Sequence, residues 1–262
     1  MAYVANLGLR NLLFNILNKN DIGSTYYSLS KYLLENFNNI NNINIYDMAE
    51  EVSVSRSTIN RFVKDLGYQN FVELKKSFES EHYLEHKNNL DNRDYTKYID
   101  VLKEEITIMM EDLLNRMNTV EVVKICEKIH ESKNVLFVSS SSNSGFIHYF
   151  QNEFIMLNKL IYSISNVYDN NELISVINNS DYIIIFSMSG RFAKSINYLL
   201  EDSDAVKTLI TLNRDNSLNR MFDQVYHLAS KTNNHIDEEL YNRYGITFML
   251  DIILNTYAYL YQ

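Results

Sequence analysis

Apolar positions recur along the first 80 residues with the three-and-four spacing of helices. Leu7, Leu9, Leu12, Leu13, Ile16 and Leu17 line one face, and Tyr26, Leu29, Tyr32, Leu33 and Phe37 line another. Between them, Asp21-Ile22-Gly23-Ser24-Thr25 supplies a breaker and capping residues. A short helix is predicted from Tyr46 to Glu51, turning Met48, Ala49 and Val52 inward, with Ala49 small where two helices cross. Val52-Ser53-Val54 then forms a turn. The next helix opens on Ser55, whose hydroxyl suits the free amides of a helix start. It keeps Ile59, Phe62, Val63 and Leu66 on one side and stops at Gly67.

From about residue 80 to 97 the periodicity fades and charge rises, as in a linker. Beyond residue 119 short apolar runs alternate with helical patterns. The runs are Asn134–Val138, Leu160–Ile164, Tyr182–Phe186, Thr208–Leu212 and Gln224–Leu228. Near-continuous apolar strands separated by helices predict a parallel sheet covered on both faces. The expected fold class is therefore an all-α N-terminal domain followed by a doubly wound α/β domain with a five-stranded parallel sheet. Domain limits are placed at 1–80, at 81–118 for a linker and connecting helix, and at 119–262. A helix from about Glu238 to Tyr261 closes the chain, and its stripe of Leu250, Ile253, Leu254, Tyr257 and Tyr261 reads as core or subunit contact.

Composition narrows the function. Of the 262 residues, 46% are hydrophobic and 22% charged, so a full core is available. The net charge of −9 argues against whole-surface binding to nucleic acid or anionic membrane, while leaving room for a local DNA-reading face. Cys126 is the single cysteine, within the apolar run Val122–Cys126, and reads as core packing in a reducing compartment. Arg10, Asn11 and Asn15 interrupt the apolar N-terminus, so it is expected to be neither signal peptide nor membrane span. A cytoplasmic protein without membrane contact is expected. The scattered histidines suggest no metal site, and no cofactor is called for.

The polar side of the helix opening at Ser55 carries Arg56, Ser57, Thr58, Asn60, Arg61 and Lys64. Arginine can bond guanine at two points, Asn and Ser can bond base edges, and Lys and hydroxyl groups can hold phosphates. Lys75 and Lys76 could reach flanking phosphates. Between residues 41 and 80 five cations face six anions, so charge alone fits a plain amphipathic hairpin equally well. The order decides: a helix, an apolar-Ser turn, and a polar-faced helix ending in Leu-Gly. Leu29–Asn36, the run Val54–Phe62, and then Leu66-Gly67-Tyr68 with Phe71 resemble the RpiR-type transcription regulators. That resemblance implies a helix-turn-helix whose second helix enters the major groove, a double-stranded DNA operator as partner, and a homodimer or dimer of dimers on an inverted repeat.

Two serine-rich loops follow strands: Ser139–Gly145 after the first and Ser187-Met188-Ser189-Gly190 after the third. Both fall at the carboxyl edge where open α/β sheets bind ligands. Hydroxyl groups and amides at a helix start suit a phosphate dianion. Their order and spacing resemble the sugar isomerase (SIS) domain that such regulators use as a sensor of a phosphorylated sugar. The resemblance implies effector contacts at Ser142, Asn143, Ser144, Ser187, Ser189 and Gly190. Ser139 and Ser141 stand where glycines are expected, and Arg191-Phe192 replaces a small or acidic residue and Thr. These departures imply an altered effector or a weakened sensor. The residues Glu239–Ile246 and the helix after them also resemble the regulators' closing helix.

Two other readings stay open. One is a phosphosugar isomerase or lyase, for which His148, His235, Glu238 and Glu239 are candidate general bases. The other is a DNA-binding protein whose α/β domain only dimerises.

Overall fold

A computed structural model describes residues 9–79, 95–117, 119–140, 143–165, 171–230 and 238–262. The chain divides into two compact units, Met1–Asn92 and Arg93–Gln262.

The first unit is helical: α1 (Leu9–Lys19), α2 (Thr25–Glu35), a 3-10 turn (Phe37–Asn42), α3 (Ile45–Glu51), α4 (Arg56–Asp65) and α5 (Phe71–Glu79). Its boundaries follow local chemistry. Gly23 takes φ +88° in the break after α1, and the Ser24 hydroxyl caps α2 by accepting from the Tyr27 amide. Leu13, Leu29, Leu33, Ile40, Met48, Ile59, Phe62, Val63 and Leu74 form a fully buried core, to which every one of these elements contributes.

The second unit begins with α6 (Tyr95–Arg116) and α7 (Thr119–Glu131). A parallel sheet follows, built from β1 (Val135–Ser139), β2 (Ile161–Ile164), β3 (Tyr182–Phe186), β4 (Val206–Thr211) and β5 (Gln224–His227). The strands are joined in turn by α8 (Ser144–Met156), α9 (Asn171–Asn178), α10 (Arg191–Leu200) and α11 (Leu218–Met221). A short turn α12 (Glu238–Leu240), a π-helical segment (Tyr241–Gly245) and α13 (Ile246–Tyr261) end the chain. The closing helix expected from Glu238 onward is thus interrupted by one wide turn, which hydrophobic spacing over five residues cannot reveal.

Strand order is β2-β1-β3-β4-β5. The central strands β1 and β3 are buried at every position, because helices cover both faces. Val135, Phe137, Tyr182, Ile184 and Phe186 pack on α6, α7, α8 and α13. Leu136, Val138, Ile183, Ile185 and Leu209 pack on α9, α10 and α11. On the first face Phe137 meets Phe186 and Phe154 edge-on at 5.4 and 6.1 Å. Such ring pairs contribute about 0.5–1.5 kcal/mol each beyond simple burial.

The segment 81–118, read from sequence as linker plus connecting helix, contains α6, which belongs to the second unit. Met109, Leu113 and Met117 lie in that unit's core. The Asp112 carboxylate accepts from the Ser230 amide and from the Tyr241 hydroxyl, each at 2.9 Å at its closest. None of the described helices is long and apolar enough to cross a membrane.

Cys126 is wholly buried between α7 and α13, where its thiol donates to the Ile253 carbonyl. Burial, reinforced by Glu127, pushes the thiol up to about 12. Only the thiolate is a nucleophile. A disulfide reagent at pH 8 should therefore label Cys126 only as fast as the second unit opens, with full reactivity in denaturant. Rapid stoichiometric labelling of the native chain would contradict this packing.

Candidate functional site

In the first unit α3 and α4 are joined by a tight turn. Ser53 adopts φ +55°, and the Val54 amide donates to the Ala49 carbonyl at 2.9 Å. Ser55 is the cap of α4: its hydroxyl oxygen accepts from the Thr58 amide at 3.2 Å and lies 2.6 and 2.8 Å from the Ser57 and Thr58 hydroxyls. The helix stops at Gly67, which takes φ +92°, while the Gly67 and Tyr68 amides close onto Lys64 and Val63 carbonyls. Ile59, Phe62 and Val63 are fully buried, and Tyr26 packs edge-on against Phe62 at 5.1 Å.

A helix that buries one stripe must show the opposite one. Ser55, Arg56, Ser57, Arg61 and Lys64 are exposed, and Thr58 and Asn60 half-buried. Ile45, Ser55, Arg56, Ser57 and Asn60 line an open groove of about 500 Å³. The ion pairs among the described residues lie elsewhere, at Lys31–Glu35, Arg116–Glu121 and Lys194–Asp215. Asp65, the acidic residue of α4, accepts a hydrogen bond from the Tyr26 hydroxyl. That phenol is raised by burial first and by the neighbouring carboxylate second.

Lys75 is tethered within the unit. Its ammonium donates to the Ile43 carbonyl at 3.1 Å and sits over the Phe71 ring, which ties it to the fold. Lys76 remains exposed. Two residues at this corner carried no signal in the sequence. Ile45 lines the groove, and the Tyr46 ring, outside its lining, lies under the Arg56 guanidinium at 4.5 Å. Hydrophobic spacing marks them only as a helix start, and their place becomes visible once α3 packs on α4.

In the second unit the strand order reverses between β1 and β3. The loops after these two neighbouring strands lead to α8 and α10, which cover opposite faces. That reversal is where open parallel sheets bind ligands. Ser142 lies outside the described residues. Asn143 is 4% exposed at the start of α8, and Ser144 is half-buried beside it. In the second loop Ser187 is 4% exposed, and its hydroxyl oxygen accepts from the Ala193 amide in the first turn of α10. The Ser189 hydroxyl oxygen accepts from the amide and the Nε of Arg191, at 3.4 and 3.3 Å. Both hydroxyls thus spend a lone pair on the helix start and keep an O–H to donate.

This loop is strapped to the exit of β4. Thr211 Oγ1 donates to the Met188 carbonyl and Asn213 Nδ2 to the Ser189 carbonyl. The Asp215 carboxylate accepts from the Ser217 amide and pairs with Lys194 of α10. The Lys194 hydrogen bond, then the Ser217 amide, hold that carboxyl at about 2, so the pair stays ionised at neutral pH and is lost as pH falls toward that value. Thr211, Asn213 and Asp215 carried no signal in sequence because the partners that strap the loop, Met188, Ser189 and Lys194, lie 21 to 24 positions away.

His148, a candidate base of the catalytic reading, sits on the exposed side of α8 with its Nδ1 2.7 Å from Gln151 Oε1. Glu238 is half-buried at the start of α12, and His235 lies outside the described residues. Among the described residues no group of three or more His, Cys, Asp or Glu could hold a metal ion.

Residues 17–83 match the helix-turn-helix domain of the rpiR family. Comparison with curated protein sequences returns no match. Solved structures are similar in fold. A Listeria monocytogenes protein proposed to be a sugar-phosphate isomerase is 15% identical, covers 65% of this chain and 95% of its own, and has a TM-score of 0.51. An Escherichia coli CFT073 protein in complex with A5P is 12% identical over 64% of this chain and 93% of its own, with a TM-score of 0.50. The Vibrio vulnificus NanR protein complexed with ManNAc-6P is 15% identical, covers 97% of this chain and 92% of its own, and has a TM-score of 0.49.

The left-handed turn at Gly190 makes the second loop testable. Gly190 takes φ +74°, and a β-carbon there would meet Leu218 Cδ1 at 3.1 Å and Asn213 Cβ at 3.2 Å. Gly190→Ala should lower the stability of the second unit by about 1–2 kcal/mol from backbone conformation alone, with crowding added. An unchanged denaturation midpoint would contradict this loop geometry.

Proposed function

We propose, since residues 17–83 match the helix-turn-helix domain of the rpiR family and the second unit carries a five-stranded parallel sheet similar in fold to a proposed sugar-phosphate isomerase, that the chain is a transcription regulator that reads double-stranded DNA with α4 and responds to a phosphorylated sugar through its α/β unit. One observation carries the DNA reading. The polar stripe of α4 stands exposed while its apolar stripe is sealed into the core. Arg56, Ser57 and Asn60 then face the bases from the leading end that enters the major groove, with Ser55 and Thr58 beside them, and Arg61 and Lys64 lie toward the phosphates.

The effector is assigned to the loops at the strand-order reversal. Ser187 and Ser189 keep hydroxyl hydrogens for a phosphate oxygen, and Gly190 opens α10 toward it. Asn143 and Ser144, with Ser142, border the sugar. The E. coli protein of like fold holds A5P, which supports a ligand of this class. Arg191 answers the altered loop sequence: its Nε bonds Ser189, so a cation stands beside the hydroxyl that would meet the phosphate. The regulator works in the cytoplasm, as a homodimer or dimer of dimers. Effector binding alters DNA affinity only so far as the sugar favours one arrangement of the protein. The α/β unit senses without catalysis.

Duplexes enriched by the full chain from a random pool provide the operator for both tests. Arg61→Ala should weaken binding to them by about tenfold or more with an unchanged unfolding midpoint, and undiminished affinity would contradict the placement of α4. A panel of phosphosugars should contain one that raises the melting temperature and shifts DNA affinity, with Ser189→Ala blunting that shift alone. Turnover of a phosphosugar would replace sensing by catalysis, and DNA binding indifferent to the whole panel would leave the α/β unit as a dimerisation module.

A further inference from the structure

Tyr46 is 60% exposed in the first turn of α3. Its backbone is held by Asn44, whose side chain accepts from the Tyr46 amide at 2.9 Å. The ring face lies under the Arg56 guanidinium, 4.5 Å from its carbon. Arg56 is the first residue of α4, where the positive end of a helix disfavours a cation. The ion pairs among the described residues do not include it. What holds Arg56 is therefore the ring of an aromatic residue on the neighbouring helix.

The manner of holding matters. A cation–π contact engages the guanidinium through its positive charge and takes up none of its N–H donors, which stay free to bond a partner. An exposed arginine left alone would spread over many rotamers and lose that freedom on binding, whereas one held over a ring is already ordered. The groove beside it, lined by Ile45, Ser55, Ser57 and Asn60, opens the same corner of the unit to a partner. We infer that Tyr46 is a specificity-determining positioning residue: it presents Arg56 so that the guanidinium bonds a guanine at O6 and N7 in the major groove. This rests on the DNA reading above and adds to it the residue that sets how sharply one base pair is read.

The test uses the full chain and the duplexes it enriches from a random pool. Arg56→Ala should erase the preference for guanine at one base pair of the enriched site. At that pair, Tyr46→Leu should reduce the guanine-to-adenine affinity ratio about fivefold or more, and Tyr46→Phe should keep it. In the Arg56→Ala background, Tyr46→Leu should change the ratio no further. Thermal unfolding of each variant should match the parent, as expected of an exposed side chain. The assignment is overturned by full discrimination in Tyr46→Leu, by equal losses in Tyr46→Phe and Tyr46→Leu, or by an effect of Tyr46→Leu that survives without Arg56. A parent chain that enriches no duplex at all removes the DNA reading itself and this assignment with it.

Discussion

The burial of Ile59, Phe62 and Val63 against α2 and its neighbours constrains everything the first unit can do. With side chains spaced at 3.6 residues per turn, sealing that stripe forces Arg56, Ser57, Arg61 and Lys64 to solvent. The ends of the helix are set independently. Ser55 satisfies its first amides and the left-handed Gly67 closes its last carbonyls. The polar stripe is thus both oriented and limited in length before any partner arrives. Removing a large side chain from such a core typically costs about 2–5 kcal/mol, a large share of a domain's stability, so the exposed face is tied to the fold itself.

The second unit follows from a different constraint. Strands apolar on both sides must be covered on both sides, and the crossovers of a 2-1-3-4-5 order send the loops after β1 and β3 to opposite faces. Two serine-rich loops fall at that parting. The hydroxyls of Ser187 and Ser189 already cap α10, and Thr211, Asn213 and the Lys194–Asp215 pair strap the loop to β4 and its exit. A ligand would meet a loop that is formed in advance, with hydroxyl hydrogens left to donate.

Much of this was legible in the residues themselves. The five apolar runs map onto β1 to β5 with shifts of one or two residues at their ends, and α4 begins and stops where Ser55 and Gly67 indicate. Local chemistry sets such features, so a local reading finds them. What escaped depends on partners distant in the chain. The straps from Thr211 and Asn213, the tether of Lys75 to Ile43, and the cation–π contact of Arg56 with Tyr46 exist only once separate elements pack. The wide turn at Tyr241–Gly245 escaped for another reason: one extra residue in a single turn leaves hydrophobic spacing almost unchanged.

The polar stripe of α4 as the DNA-contacting surface is the claim on which the account stands. Amide hydrogen exchange of the full chain, with and without an enriched duplex, tests it most directly. Slowed exchange is expected across the leading end of α4 and the turn before it, with α1 unchanged. Protection confined to other segments, or none at saturating duplex, would contradict it.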